Sequence, residues 1–544
     1  MAIEKKHFAF HEDRISYLPE QDISAELALV SFLMLLKNDG RSYVSDLKQD
    51  KTPKELVDVI LSSPDRFEGF GDDNNPKILQ DWLADEYLDV RRIKKPKEGE
   101  PHERIISAHP LHLITTRLRA RDFSTFAKGT GKFLYSALKD EPQLTSDLLK
   151  FFKEGYNEIE NKLEDDTLDV DTALLVSVLQ DAKDGTPDFR ESVEYYPPFC
   201  VGQSQLLADD LRKLIRYHFG SNMPRRELLK YMVTIIRFHL YLYTLRVFRE
   251  VNQLWETKKY CANSCKVDPS KNCPFESCTG GKLNLFVDFG EDHRSNSAQL
   301  AMDAVQNDYQ ELHRYIKNQY RLKKLMEFAD DLRRTHPKYE KKGNETPWDD
   351  LVLLLNKEKD LAQAFFSGRR QILISEYEDD EEIIEILKLP LSEFDRYVEI
   401  VFYLTAQRTH IRKFREMMDS ISGKNQEYGI LRTTGGRKAT RRYAMGSVLL
   451  EVLAQLAVVH VDPKKGYHTH NIGILEFIEF LKNRYGILID TLSDVDKQKH
   501  IWIQAALSEN YLALRNRLRM IGFYTDLSDA SNVQEIVPRF RIGN

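Results

Sequence analysis

A mainly α fold is what this sequence predicts, and three observations predict it. Apolar residues recur at the helical period over Ser24–Lys37, Gln205–His218, Arg225–Thr257, Ser297–Arg334 and Leu391–Ser420. Runs with strand character are few and short: Asp89–Ile93, Arg104–Ser107, Leu283–Asp288 and Gln534–Pro538. Glycine (25) and proline (19) are too sparse in 544 residues for a turn-dense all-β or linker-like chain.

At ~150 residues per domain, the length favours three or four domains. With 42% apolar residues there is material for several cores, which excludes a wholly disordered chain. The net charge of −6 excludes a uniformly basic nucleic-acid coat, so any nucleic-acid contact must come from local patches. Met1-Ala2-Ile3-Glu4-Lys5-Lys6 runs into charged sequence without the apolar stretch of a signal peptide. Leu229–Val247 is the most membrane-like stretch, but it carries Lys230, Arg237, His239 and Arg246, so a buried helix is expected and no membrane association. Five cysteines are too few for a disulfide scaffold, and a cytoplasmic protein is expected.

Taken in order, residues 1–110 place helical patterns at Ser24–Lys37, Pro53–Leu61 and Ile78–Glu86 before two short strands around a polar tip, the order of a winged helix. Asp81, Asp85 and Glu86 on its third helix would oppose phosphates, so protein docking or a structural role is expected there ahead of DNA reading. Residues 111–345 form a helical body, with Asn157–Asp171 as a polar surface connection and His336–Glu345 as a polar loop. Residues 346–442 form a further helical block. Its acidic run at Glu376, Glu378, Asp379, Asp380, Glu381, Glu382 and Glu385 suits a helix N-terminus, and Lys424–Arg442 is expected to be an exposed basic loop. Residues 443–544 repeat the winged-helix order, with helices at Met445–Val459, Ile472–Tyr485 and Gln504–Ile521. A hairpin follows, flanking Ser528-Asp529-Ala530-Ser531-Asn532.

Four cysteines fall within eighteen residues, Cys261, Cys265, Cys273 and Cys278, in the pattern C-x3-C-x7-C-x4-C. Two close pairs of thiolates across a short loop can converge on one tetrahedral zinc, and a closed four-thiolate site is structural. Reduced, metal-free thiols are the alternative. The following strand ends in Asp288 and Asp292, for which a satisfied strand end or cap stands against a Mg²⁺ site. Lys128-Gly129-Thr130-Gly131-Lys132-Phe133 fails as a phosphate loop, because Phe126 and Phe133 stand where glycine and Ser or Thr are required. His468 and His470 have no adjacent cysteine or carboxylate cluster and are expected in a polar surface loop.

From Thr405 to Arg442 there are ten basic residues against three acids. Arg432, Arg437, Lys438, Arg441 and Arg442 sit there among threonines and glycines, a composition that suits phosphate contact or a protein partner. In the last helix Tyr511, Leu514, Leu518 and Ile521 make an apolar face, and Arg515, Asn516 and Arg519 fall on other faces, as a recognition helix would present them.

The basic Gly435–Met445 stretch, the Glu509–Ile521 helix and the Leu527-Ser528-Asp529-Ala530 wing resemble accessory proteins of bacterial antiphage defence islands. The nearest class is the non-catalytic components of methylation-associated or phosphorothioation-dependent restriction systems. That resemblance implies a subunit working beside a methyltransferase, ATPase or nuclease, and no catalytic residue carries over. The expected function is a zinc-stabilised, double-stranded-DNA-binding and scaffolding subunit. A Mg²⁺-dependent nuclease using Asp288 and Asp292, or a purely structural adaptor, are the alternatives.

Overall fold

A computed structural model describes residues 5–44, 51–68, 75–93, 101–120, 123–164, 168–183, 185–190, 194–261, 283–339, 347–377, 379–434, 439–492, 501–524 and 535–543. Among the described residues it has seventeen helices and only small two-stranded sheets, the mainly α fold expected.

The N-terminal part runs α1 (Ala25–Lys37), β1 (Tyr43–Val44), α2 (Pro53–Leu61), α3 (Asn75–Glu86), β2 (Leu88–Arg92) and β3 (Glu103–Ala108). Ser24 caps α1 by accepting the Leu27 N–H at 3.2 Å, and Thr52 caps α2 ahead of Pro53 at its first turn. β2 and β3 pair antiparallel with an irregularity at Asp89/Val90, and on the far side of β3 the Ile105 N–H bonds the Lys51 carbonyl at 2.8 Å. The acids of α3, Asp81, Asp85 and Glu86, are exposed, and of them Glu86 forms an ion pair with Arg226, which also pairs with Asp171.

Next come α4 (Phe123–Leu138), α5 (Pro142–Lys153), the hairpin β4 (Tyr156–Asn157) and β5 (Lys162–Leu163), α6 (Val170–Leu179), and β6 (Thr186–Pro187), which pairs with β1. The glycines of the rejected phosphate loop lie inside α4, where Gly131 lets it approach α1 closely and Gly129 lets it approach the backbone at Tyr17, ahead of α1. A Cβ on Gly129 would sit 2.1 Å from the Tyr17 carbonyl oxygen, and one on Gly131 would sit 2.0 Å from Ser31 Oγ. Gly129→Ala is therefore expected to destabilise, although alanine favours a helix by ~1 kcal/mol. Overpacking against backbone costs about 1–3 kcal/mol, leaving a net loss of up to roughly 2 kcal/mol. A denaturant midpoint that rises in this variant would refute the close approach.

The centre is built on α7 (Val201–Gly220), α8 (Arg225–Thr257), β7 (Leu285–Phe286) and α9 (Asn296–Thr335). α8 is a buried helix whose charges are matched: Arg237 meets Glu26 at 2.9 Å and His239 meets Asp210 at 2.8 Å. Among the described residues no helix is long and apolar enough to cross a membrane. α10 (Trp348–Lys357), α11 (Lys359–Ile374), α12 (Glu381–Lys388), α13 (Glu393–Thr405) and α14 (Arg412–Ile421) follow, the last two joined by a π-helical turn at Ala406–Ile411. Asp380 caps α12 through the Glu382 and Ile383 N–H groups, so the acidic run does mark a helix start.

The C-terminal part runs β8 (Leu431–Thr433), β9 (Arg441–Tyr443), α15 (Ser447–Ala457), β10 (Val459–Asp462), β11 (Gly466–Thr469), β12 (Ile472–Gly473), α16 (Ile474–Tyr485), β13 (Ile487–Leu488), α17 (Ile501–Met520) and β14 (Glu535–Ile536). The segment expected as a basic loop is instead a β8–β9 hairpin. Thr434 and Thr440 close it, each donating its N–H to the other at 2.9 Å. β7 pairs parallel with β13, while the Asp288 N–H bonds the Tyr443 carbonyl at 3.0 Å. Ile536 bridges antiparallel to Ile472 on one side and to Tyr524 on the other, so the expected closing hairpin carries a third strand. Its turn, residues 525–534, lies outside the described residues.

One apolar cluster runs from Phe10 to Ile542, and a second gathers α2, α3, β2, β3 and α6.

Candidate nucleic-acid interface

The basic hairpin is held by carboxylates at its base. Arg432 pairs with Glu427, Nη2 to Oε1 at 2.6 Å. Glu427 also accepts the Ser447 N–H at 2.9 Å, which caps the start of α15. That backbone bond, with Arg432 after it, holds the Glu427 pKa down to about 2. Arg441 grips Asp419 with two bonds of 2.7 Å, and Lys424 pairs with the same carboxylate. Burial works to raise the Asp419 pKa, but these two cations hold it below its usual value.

Arg442 requires a correction. It is buried, and its guanidinium forms an ion pair with Asp288 and reaches the Gly290 carbonyl at 3.4 Å. A side chain committed to a buried carboxylate is not available to phosphate. Arg437 and Lys438 lie outside the described residues.

Asp288 is a satisfied strand end. Oδ1 accepts from Ser297 Oγ at 2.8 Å and from the Gly290 N–H at 3.0 Å, and Oδ2 takes Arg442. Burial raises its pKa against the pull of Arg442. Asp292 turns back to the Arg294 N–H at 2.9 Å, ahead of the Ser295 cap of α9. With both Asp288 oxygens engaged, this pair offers a metal little.

α17 shows the face expected of it. Leu514 and Leu518 are fully buried, with Tyr511 and Ile521 packed against the same core. Asn516 and Arg519 are exposed and Arg515 is half-buried, with Leu512 exposed beside them. Arg519 lies 5.9 Å from the Tyr524 ring. Arg517 turns inward and donates to the Met445 carbonyl at 3.1 Å, just past β9. At 100° per residue, Arg515 and Arg519 point roughly 160° away from it, so they face away from the Met445 contact. Sequence reasoning missed Asn510, which bonds the Phe289 N–H at 2.8 Å and the Val287 and Ile489 carbonyls at 2.9 and 3.0 Å. Its signal was an amide on the apolar face, one turn before Leu514.

An open cleft of about 980 Å³ separates α3 from α8. Its acids and bases pair across it, Glu86 with Arg226 and Glu26 with Arg237, so it presents no excess of positive charge to phosphate.

Of the four cysteines, Cys261 is half-buried just beyond α8, while Cys265, Cys273 and Cys278 lie outside the described residues. His468 is not in a loop but on β11, opposite His460 of β10, while His470 is exposed in the two-residue link between β11 and β12, as expected of it.

Residues 5–540 match the family model for methylation-associated defense system protein MAD7. No curated protein matches the chain.

Proposed function

The chain belongs to the MAD7 family of methylation-associated defense system proteins, and from that premise we propose that it is the DNA-binding and scaffolding subunit of its antiphage system. Catalysis is left to a partner methyltransferase, ATPase or nuclease. The observation that carries the reading is the C-terminal order: α15, the β10–β11 hairpin, β12, α16, β13, α17 and then β14, which lies between β12 and the bridging residue Tyr524. That order supports a winged helix whose recognition helix is α17, with Arg515, Asn516 and Arg519 turned outward. Residues 486–500 between α16 and α17 make a longer connection than a simple helix-turn-helix has. Arg437 and Lys438 keep the proposed phosphate-contact role, while Arg432 and Arg441 are held by Glu427 and Asp419.

Scaffolding rests on the N-terminal part. The same helix–hairpin order recurs there, but α3 carries the exposed acids Asp81, Asp85 and Glu86, the last paired with Arg226 of α8, and Ile78 and Trp82 are its exposed apolar residues. That composition suits a protein partner better than DNA.

Arg515→Ala/Arg519→Ala is expected to weaken binding of a short duplex at least tenfold, since phosphate contacts dominate such affinity. The melting temperature should hold, because Arg519 is exposed and Arg515 half-buried. Unchanged affinity with unchanged melting would remove α17 from the interface. The zinc reading has its own test: Cys261→Ser should lower zinc by one per chain, and Cys200→Ser should not, because Cys200 is buried in the helical core.

A further inference from the structure

The β10–β11 hairpin gathers histidines that the chain spaces apart. His460 and His468 are direct partners across the antiparallel pair, and the His470 N–H bonds the Val458 carbonyl at 3.1 Å, continuing the same register. The rings of His460 and His470 have centroids 3.7 Å apart with planes tilted by 34°, and that of His468 lies 6.4 and 5.9 Å from them. Glu476, in the first turn of α16, brings a carboxylate to the same place. One ring nitrogen each of His460 and His470 and an oxygen of Glu476 lie within 4.8 Å of one another.

The arrangement has the features of a ligand set. His460 Nε2 is buried with no hydrogen-bond partner, while the Ala457 backbone hydrogen-bonds the ring. An imidazole anchored through one nitrogen presents the other as a lone pair, the usual support of a metal-bound histidine. Among the described residues nothing else takes up that lone pair. Asp462 is committed to its own turn, accepting the Lys464 and Lys465 N–H groups at 2.7 and 2.9 Å. Lys213, the nearest cation, has Asp209 at 3.5 Å.

We propose that His460, His470 and Glu476 bind a divalent transition-metal ion, zinc foremost, which clamps the β10–β11 hairpin to the start of α16. Two imidazoles and a carboxylate are a borderline nitrogen–oxygen set of the kind zinc accepts, with a fourth position left to water. Zinc–ligand distances near 2.1 Å place tetrahedral ligand atoms about 3.4 Å apart, so closure needs side-chain shifts of roughly 1 Å. His470 and Glu476 are exposed and have that freedom. This site is chemically distinct from a thiolate cluster at Cys261.

The test is a Co²⁺ titration of the full chain after chelator treatment, followed by displacement with Zn²⁺. The wild type should show a nitrogen–oxygen cobalt spectrum that His470→Ala abolishes, and Glu476→Gln should weaken that site at least tenfold. Zinc content should fall by one per chain in His470→Ala, with any thiolate-to-cobalt band unchanged. Both substituted residues are exposed, so their circular dichroism and melting without metal should match the wild type. Zn²⁺ should raise the melting temperature more for the wild type than for His470→Ala. Equal cobalt binding and equal zinc content in the wild type and His470→Ala would overturn the proposal.

Discussion

Arg442→Ala is expected to cost about 3–5 kcal/mol, the penalty for leaving a buried charge without its partner. Asp288 is 1% exposed and Arg442 7%, so water cannot replace the lost guanidinium. The damage would spread, because the Asp288 N–H also ties β7 to β9 through the Tyr443 carbonyl. Against a total stability of about 5–15 kcal/mol, that loss should shift a denaturation midpoint strongly. Arg441→Ala supplies the contrast. Its bond to Asp419 is partly exposed and Lys424 remains on the same carboxylate, so about 1 kcal/mol is expected. Equal, small effects at the two positions would mean that Asp288 finds another partner or water. Two adjacent arginines thus have different roles, which urea denaturation of the two variants separates.

Arg484→Ala should be comparably severe and has a pH signature. Asp210 is fully buried; Arg484 Nε reaches it at 3.0 Å, His239 Nε2 at 2.8 Å and the Tyr485 hydroxyl at 2.7 Å. Burial alone would raise the Asp210 pKa, but Arg484 and then His239 hold it well below the ordinary value of 3.8. A depressed folded-state pKa gives stability that is fully present above the unfolded value and is lost as pH falls below it. Without Arg484, burial should dominate and favour the protonated acid, so the variant should lose stability as pH rises through and above 4. The difference from wild type is therefore expected to be about 3–5 kcal/mol at pH 7 and to shrink toward pH 4. A difference that stays constant over this range would point to lost packing as the cause.

Local pattern was legible in the sequence. The Arg225–Thr257 periodicity matches α8 at both ends, and its four interior cations correctly argued against a membrane span. The short strands β2, β3, β7 and β14 were also visible, since β-branched runs between turn residues need only local information. Pairings across the chain were not. Nothing near Arg442 shows that Asp288, 154 residues away, takes its charge. The Lys424–Arg442 composition therefore looked like a solvated loop. The histidines failed for the same reason. His460 and His470 become neighbours only when β10 folds onto β11, and Glu476 reaches them only because α16 starts beside that hairpin. Gly129 and Gly131 were excluded from nucleotide binding by their flanking phenylalanines, but their close packing depends on Tyr17 and on Ser31 of α1, about a hundred residues earlier.

DNA binding by the C-terminal basic residues is the central claim, and the salt dependence of duplex affinity tests it most directly. Each phosphate contact contributes about 0.9 to the slope of log affinity against log salt. Arg441 and Arg442 are committed to Asp419 and Asp288, so the informative set is Arg437, Lys438, Arg515 and Arg519. Replacing all four by alanine is expected to weaken binding to every duplex alike and to flatten the slope by up to roughly 3–4 units. A wild-type chain and a fourfold variant with the same slope on the same duplex would contradict the account and assign these residues to a protein partner.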